Sequence, residues 1–263
     1  MRLIKSLNIK HFLMALVFML PLSASAISLS TYRIYVDYDS RTASFMMFNK
    51  SAVTEECQLD LVHNDFDAVG NMTPHQGDQL PANSAEPWIR YSPRNFVVEA
   101  RAPQTVRFTI RRQANSEPAE YRSYLRIFCD EKDKPQSTST SSSSKTVKLS
   151  VKPRLVQNVP VIVRTGKLEA TVSFGDISVN NEKLSFTINR QGNRSVYGTL
   201  ELVNKQTGEV INYKKNVSVY TETNKSAYDF SLRGRSLQEL ALRFTEDQDY
   251  GGTITYQQDL TQN

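Results

Sequence analysis

The sequence has few of the residues from which catalytic and metal sites are usually built. It contains two cysteines and three histidines in 263 residues, and it has no nucleophile-elbow, zinc-protease, P-loop or dinucleotide-binding motif. His63 and His75 lie in or beside a polar segment, without metal-ligand spacing to a cysteine. The acidic pairs Glu55–Glu56 and Asp65/Asp67 are more typical of solvated loops than of a glycosidase. The sequence therefore predicts a protein that is not an enzyme and has no cofactor or metal.

Long apolar runs are missing beyond the first 26 residues. Three basic residues precede the apolar run Phe12–Leu22, and Ala24–Ala26 supplies the small-residue cleavage pattern of a secretory signal. The run is shorter than the roughly 20 residues of a membrane-spanning helix, which favours cleavage over an uncleaved anchor. We expect residues 1–26 to be a signal peptide and the exported mature chain, starting at Ile27, not to insert into a membrane.

A strong charge of one sign is absent as well. The leader carries three basic residues and no acidic ones, so its removal lowers the formal net charge from +5 to +2. No basic stripe with interleaved aromatic residues stands out, which is the pattern expected of a nucleic-acid-binding surface. The sequence therefore does not predict nucleic acid as a partner.

Short segments that alternate apolar and polar residues make up most of the mature chain, and none has a helical period. About seven such strands in roughly 125 residues are typical of an immunoglobulin-like sandwich. The polar stretch Asn64–Pro87 predicts a loop with at most a short edge strand. In the first half, the clearest strands are Ser28–Tyr38, Ala43–Asn49, Cys57–His63, Trp88–Tyr91, Gln104–Arg112 and Tyr121–Cys129.

The second half repeats this pattern and predicts a second sandwich. Its expected strands are Thr171–Val179, Lys183–Asn189, Val196–Asn204, Val210–Tyr220, Ala227–Ser231, Glu239–Phe244 and Thr253–Gln257. The fold class is therefore all-β, with two immunoglobulin-like β-sandwich domains at an angle and an interdomain cleft. We expect the domains to cover residues 27–158 and 159–263, with the boundary near Val159–Gly166.

The segment Lys145–Arg164 predicts a strand of unusual character. Val147, Leu149 and Val151 share one face because strand side chains alternate, and residues 136–145 upstream are almost all Ser and Thr, a composition typical of a mobile loop. One interpretation is an ordinary last strand of the first sandwich. The other is a strand that is kept available for a partner.

Export also makes a disulfide between Cys57 and Cys129 chemically permissible. A structural cross-link is the default interpretation, since a zinc site would need further ligands.

Several motifs give the chain a resemblance to a known family. They are SLSTYRIYVDY at Ser28–Tyr38, SFMMFNKS at Ser44–Ser51, WIRYSPRNFVVEARAPQTVRFTIRR at Trp88–Arg112 and VPVIVRTGKL at Val159–Leu168. In this order, after a signal peptide, they resemble the periplasmic pilus-assembly chaperones of the chaperone–usher pathway, in its archaic or alternative branch. The usual Pro-Gly before the Gln of the third motif is Ala102-Pro103 here.

The resemblance implies a function in the periplasm. Chaperones of this family bind pilus subunits that lack a strand, complete the open sandwich with their own strand G, and deliver them to an outer-membrane usher. By this resemblance Val147, Leu149 and Val151 are the donor residues. An apolar donor strand also gives the free protein a route to self-association.

The resemblance also implies an anchor for the subunit's terminal carboxylate, built from two basic residues. Arg33 matches the first, because it stands in the S-x-x-x-x-R context of Ser28–Arg33. For the second, the usual positions hold Leu155 and Val156, so Arg154 is preferred and Lys152 is the alternative. Cys57 and Cys129 differ from the family's better-known disulfide and would join strands C and F.

The competing interpretation is a secreted structural or adhesive protein of two immunoglobulin-like domains, such as a pilus subunit. A subunit would carry an N-terminal donor extension and a sandwich that lacks a strand. Here the mature N-terminus runs directly into a strand, and both halves count about seven strands, which favours the chaperone.

Overall fold

The structure, a computed structural model, describes residues 27–37, 39, 41–67, 71–111, 117–132 and 155–261. The predicted signal peptide, the expected donor residues Val147, Leu149 and Val151, and the anchor candidates Lys152 and Arg154 lie outside these residues. Within the described ranges, no helix is long and apolar enough to cross a membrane. Three 3₁₀ helices of one turn, Glu86–Trp88, Leu237–Glu239 and Gln248–Tyr250, are the helices of this part of the chain.

Eleven of the described strands build the first domain. They are β1 (Ile27–Leu29), β2 (Ile34–Asp37), β3 (Thr42–Asn49), β4 (Glu55–Val62), β5 (Asn64–Phe66), β6 (Met72–Pro74), β7 (Ile89–Ser92), β8 (Asn95–Val98), β9 (Pro103–Ile110), β10 (Ala119–Glu131) and β11 (Val156–Thr165). Two sheets, in the orders β1-β3-β9-β7 and β2-β11-β10-β4-β8, enclose the core, while β5 and β6 form a separate hairpin. Phe45, Phe108 and Leu125 are among the side chains fully buried between the sheets.

Seven strands build the second domain. They are β12 (Ala170–Asn180), β13 (Lys183–Gly192), β14 (Val196–Asn204), β15 (Val210–Val219), β16 (Lys225–Ser231), β17 (Leu240–Glu246) and β18 (Thr255–Asp259). They form the sheets β12-β13-β16 and β15-β14-β17-β18, with Phe186, Leu200 and Phe244 in the core between them. The predicted all-β fold of two immunoglobulin-like sandwiches is therefore confirmed.

The first predicted strand is the clearest local correction. Instead of running unbroken over Ser28–Tyr38, the chain leaves one sheet after Leu29 and enters the other at Ile34. β1 pairs with β3 in an antiparallel manner, whereas β2 pairs with β11 in parallel. The side chain of Thr31 stabilises the crossover, because its hydroxyl donates to the carbonyl of Arg33 and accepts from the Arg33 N–H.

Strand β11 also bears on where the first domain ends. It runs without a break from Val156 to Thr165, and Val159, Val161 and Val163 pack in the first core. The second core begins with Val172. The sequence predicts that the second domain begins at Val159; we propose instead that residues 166–169 connect the domains.

The two cysteines form a disulfide, as predicted. Cys57 on β4 and Cys129 on β10 stand directly opposite each other in the antiparallel ladder, with their Cα atoms 4.1 Å apart. The bond therefore joins neighbouring strands of one sheet and is structural.

Candidate functional site

The most unusual part of the structure is the contact between the two domains, which is polar and rich in arginine. Arg33, Arg122 and Arg164 of the first domain are all buried there, although arginine is rarely buried unless it is paired. They come from β10, β11 and the crossover before β2. Each contacts residues of the second domain, so the three side chains link the two domains.

Within the described residues, Arg33 occupies this contact without a carboxylate partner. Its residue is 1% exposed, and its Nη1 and Nη2 atoms donate to the hydroxyls of Ser218 at 3.5 Å and Ser195 at 3.3 Å. Its Nε atom is buried and makes no hydrogen bond within the described residues. The rings of Tyr197 and Tyr220 lie 4.6 and 5.8 Å from its Cζ atom. Two long bonds and two aromatic faces compensate poorly for burying a charge.

Arg164, by contrast, is fully engaged. Its Nε atom donates to Glu120 at 2.9 Å, and its Nη2 atom donates to the carbonyl of Ser195 at 2.9 Å. Its Nη1 atom reaches the carbonyls of Tyr250 and Gly251. The Glu120 carboxylate also accepts the N–H of Ser195, so this pair fixes the Ser195 backbone beside Arg33.

Arg122 pairs with a carboxylate of the second domain. Its Nη1 and Nη2 atoms donate to the two oxygens of Glu222 at 2.9 and 2.7 Å, the bidentate geometry that favours Arg over Lys. Burial alone would raise the pKa of Glu222, but the charge of Arg122 and its hydrogen bonds outweigh burial and lower that pKa. The guanidinium also faces the rings of Phe66 and Tyr220, at 4.6 and 4.2 Å.

Tyr220 therefore lies between two arginines of the first domain. One is Arg122, and the other is Arg33. The ring of Phe66, on β5, packs against Tyr220 with 5.2 Å between centroids. The β5–β6 hairpin thus contacts the same tyrosine as Arg33 does.

A second feature lies at the start of β11. On one side, β11 pairs with β10 from Val156 to Thr165; on the other side, β2 covers only Val161–Arg164. Among the described residues, no strand pairs with that second side from Val156 to Pro160, so it is an open edge. Leu155 and Val156 at its beginning are 62% and 47% exposed. The apolar strand thus continues beyond the core that it helps to build.

The predicted site residues have different outcomes. Arg33 lies in the contact between the domains and is buried there rather than facing an open cleft. Sequence reasoning missed Arg122, Arg164 and their acidic partners. The local pattern pointed the other way: Arg122 and Tyr124 alternate with the core residues of β10, and a charge and a tyrosine on the outer face are expected to be solvated. Both are buried, because the hairpin and the second domain cover that face.

Comparisons with known proteins found a likeness of fold. No family model matches the chain, and no curated protein matches it. Among solved structures, the YadV chaperone is 13% identical with a TM-score of 0.48, covering 89% of this chain and 99% of that one. The CupB2 chaperone of Pseudomonas aeruginosa is 14% identical with a TM-score of 0.45, covering 89% and 100%.

A third similar structure is a complex, described as the CsuC–CsuE chaperone–tip adhesion subunit pre-assembly complex from the archaic chaperone–usher Csu pili of Acinetobacter baumannii. It is 10% identical with a TM-score of 0.47, and the match covers 89% of this chain and 98% of that one. At such identities a likeness concerns the overall fold, and the fold alone does not define a function.

Proposed function

We propose that the protein is a periplasmic chaperone of the chaperone–usher pathway, which binds pilus subunits by completing their open sandwich with strand G and delivers them to an outer-membrane usher. The open edge of β11 is the observation that carries the proposal. Unpaired N–H and C=O groups on a strand edge are a template for pairing with another chain. Most proteins cover or shorten such an edge.

The side chains of this strand support the same function. Val159, Val161 and Val163 face the core of the first domain, and strand side chains alternate. A strand that extends upstream in the same phase places Leu155, Val151, Leu149 and Val147 on that face too. On this face, Leu155 lies beyond the core and is exposed to solvent. Burying each such side chain in a partner's groove contributes about 2 kcal/mol.

Arg33 supports the carboxylate anchor. Among the described residues, this buried guanidinium has two long hydrogen bonds, an Nε atom without a partner and no anion to compensate its charge. A subunit's terminal carboxylate fits the planar guanidinium bidentately and can take the place of the Ser195 and Ser218 hydroxyls. Because Arg33 is 1% exposed, these serines must move aside when the carboxylate arrives. Arg154, with Lys152 as the alternative, is the second basic residue in this proposal.

The test is the recovery of a soluble one-to-one complex when the chain is co-expressed in the periplasm with a pilin subunit that aggregates alone. Leu149→Glu should abolish the complex, since it places an unpaired charge in an apolar groove. Ser150→Glu is the matched control, because strand alternation is expected to turn this next residue to the opposite face. If Leu149→Glu left recovery as high as Ser150→Glu, strand G would not be the donor.

The anchor is tested separately with Arg33→Ala. We expect loss of soluble subunit while the far-UV circular dichroism of the free protein is unchanged. Arg126→Ala is the control, because Arg126 lies on the surface of the same domain, where it pairs with Asp60. Recovery equal to that of the control would contradict the anchor role.

A further inference from the structure

The only two histidines of the chain outside its leader meet at one carboxylate. They are His63, at the end of β4, and His75, just after β6; the carboxylate is that of Asp65 on β5. The Nδ1 atom of His75 lies 2.7 Å from Asp65 Oδ2, and the Nε2 atom of His63 lies 3.8 Å from Asp65 Oδ1. The two rings approach edge to face with their centroids 5.8 Å apart. Neither the donor strand nor the anchor uses this cluster.

The contacts of His75 favour a protonated ring. Its Nδ1 atom faces a carboxylate oxygen, and its Nε2 atom faces the carbonyl oxygen of Gln79 at 3.1 Å. Both partners are acceptors, and only an imidazolium has two N–H donors to offer. A Cβ atom on Gly77 would lie 2.5 Å from His75 Nε2, so glycine leaves room for this ring. The hydrogen bond to Asp65 is the main cause that raises the pKa of His75.

His63 has the opposite environment. It is 7% exposed, and its Nδ1 atom makes no hydrogen bond within the described residues. Burial lowers the pKa of His63, and the charge of Arg122 lowers it further, while Asp65 opposes both. Protonation of His63 therefore places a second buried cation beside Arg122.

The cluster is connected to Arg33 through side chains already described. Asp65 precedes Phe66 on β5, and the Phe66 ring packs on Tyr220 of the second domain. Tyr220 also faces Arg122 and Arg33. The groups that face the histidines are thus Asp65 of the hairpin and Arg122 of β10, whose own charge is balanced by Glu222.

We propose that Asp65, held between His63 and His75, is a positioning residue that keeps the β5–β6 hairpin against Tyr220, and so holds Tyr220 beside Arg33 in a pH-dependent manner. The proposal deepens the carboxylate anchor and rests on the proposed function for its biological use. The contact of the hairpin with the second domain does not depend on that function.

The direction of the pH effect follows from the two histidines. A raised pKa at His75 gives stabilisation that is complete below the unfolded value of 6.5 and is lost as the pH rises through the folded pKa. A lowered pKa at His63 has the opposite effect. It does not reduce the stability of the fold above pH 6.5, but it reduces that stability increasingly as the pH falls below 6.5. The hairpin contact should therefore be strongest near the ordinary pKa of histidine and weaken on both sides.

The experiment uses the free mature protein labelled with 3-fluorotyrosine, with the Tyr220 resonance assigned by Tyr220→Phe. Two-dimensional NMR follows the ring protons of both histidines from pH 5 to 8.5, and fluorine NMR follows Tyr220. We expect the Tyr220 resonance to change with both histidine titrations. In Asp65→Asn, the His75 midpoint should fall towards 6.5 and the response of Tyr220 should disappear. Asp78→Asn, three residues after His75, is the matched control.

Two results would overturn the proposal. One is a His75 midpoint that is the same in Asp65→Asn and Asp78→Asn; the other is a Tyr220 resonance that does not change as either histidine titrates. Recovery of the pilin complex at pH 5.5, 6.5 and 7.5 tests the link to the anchor. Equal recovery at all three values would refute the positioning role and leave the chaperone function intact. Absence of any complex would refute the chaperone function, whatever the NMR titration shows.

Discussion

The ion pair between Arg122 and Glu222 provides the sharpest test of how the domains are held together. The Arg122 side chain is 3% exposed and the Glu222 side chain 26%. Glu222→Gln keeps the shape of the side chain but leaves the guanidinium buried without a counter-charge, and breaking a fully buried pair in this way costs about 3–5 kcal/mol. The rings of Phe66 and Tyr220 still face the cation, and Glu222 is partly solvated. We therefore expect a loss of about 2–3 kcal/mol.

Removing the arginine of this pair should cost less stability than removing the charge of the carboxylate. Arg122→Leu leaves a carboxylate that is a quarter exposed and keeps its hydrogen bonds from Asn83 and Thr221, so we expect a loss of about 1–2 kcal/mol. In the double variant Arg122→Leu/Glu222→Met, neither charge is left alone, so the total should fall short of the sum by about 1–2 kcal/mol.

Urea unfolding gives the measurement. Fluorescence of Trp88, the single tryptophan, reports on the first domain, and far-UV circular dichroism reports on both. Asp60→Asn is the matched control: Asp60 pairs with Arg126 on the surface, where the side chains are 41% and 48% exposed. Such pairs contribute about 0–1 kcal/mol. If Glu222→Gln cost no more than Asp60→Asn, the buried pair would not hold the interface. Because the pKa of Glu222 is lowered, its stabilisation should be complete above the unfolded value of 4.5 and be lost as the pH falls below it.

Three further changes test the interior of each domain. Glu246 is 1% exposed at its side chain and accepts hydrogen bonds from an arginine and two backbone N–H groups, so Glu246→Gln should cost about 3 kcal/mol in urea unfolding; a loss below 1 would contradict this. Replacing both Cys57 and Cys129 by Ser opens a loop of 72 residues and should cost about 4 kcal/mol, which calorimetry of the variant would measure; an unchanged melting temperature would refute it. Gly198→Ala places a Cβ atom 2.1 Å from the Thr245 carbonyl oxygen. It should lower the melting temperature of the second domain and cost about 1–3 kcal/mol of stability. An unchanged melting temperature would mean that β14 and β17 can move apart there without loss of stability.

Local patterns were enough for most of the strands. All seven strands expected in the second half are present within a few residues of their expected ends, because the alternation of apolar and polar side chains defines a half-buried strand without reference to distant residues. The pairing of Cys57 with Cys129 was also within reach, since an exported chain with two cysteines has one intramolecular pairing. In contrast, β8 was missed, because Asn95–Val98 is short and lies within a longer polar and aromatic segment.

Most of the site between the domains could not be predicted from the sequence. Arg33 was found through a motif, but its burial was not, because burial depends on Tyr197 and Tyr220 of the other domain. Arg122 and Glu222 are 100 residues apart in the chain, and no local pattern relates them.

By itself, the sequence of this protein determined its class, an all-β chain of two sandwiches. Its composition also predicted a signal peptide and an apolar strand between two polar segments. These properties follow from the periodicity and composition of neighbouring residues, which act over a few residues at a time. Only the tertiary structure decided that the chain changes sheets before Arg33, that no described strand pairs with one side of β11 from Val156 to Pro160, and that two histidines share Asp65. Such contacts join residues whose proximity is set by sheet order and domain packing, and no short stretch of sequence contains that information.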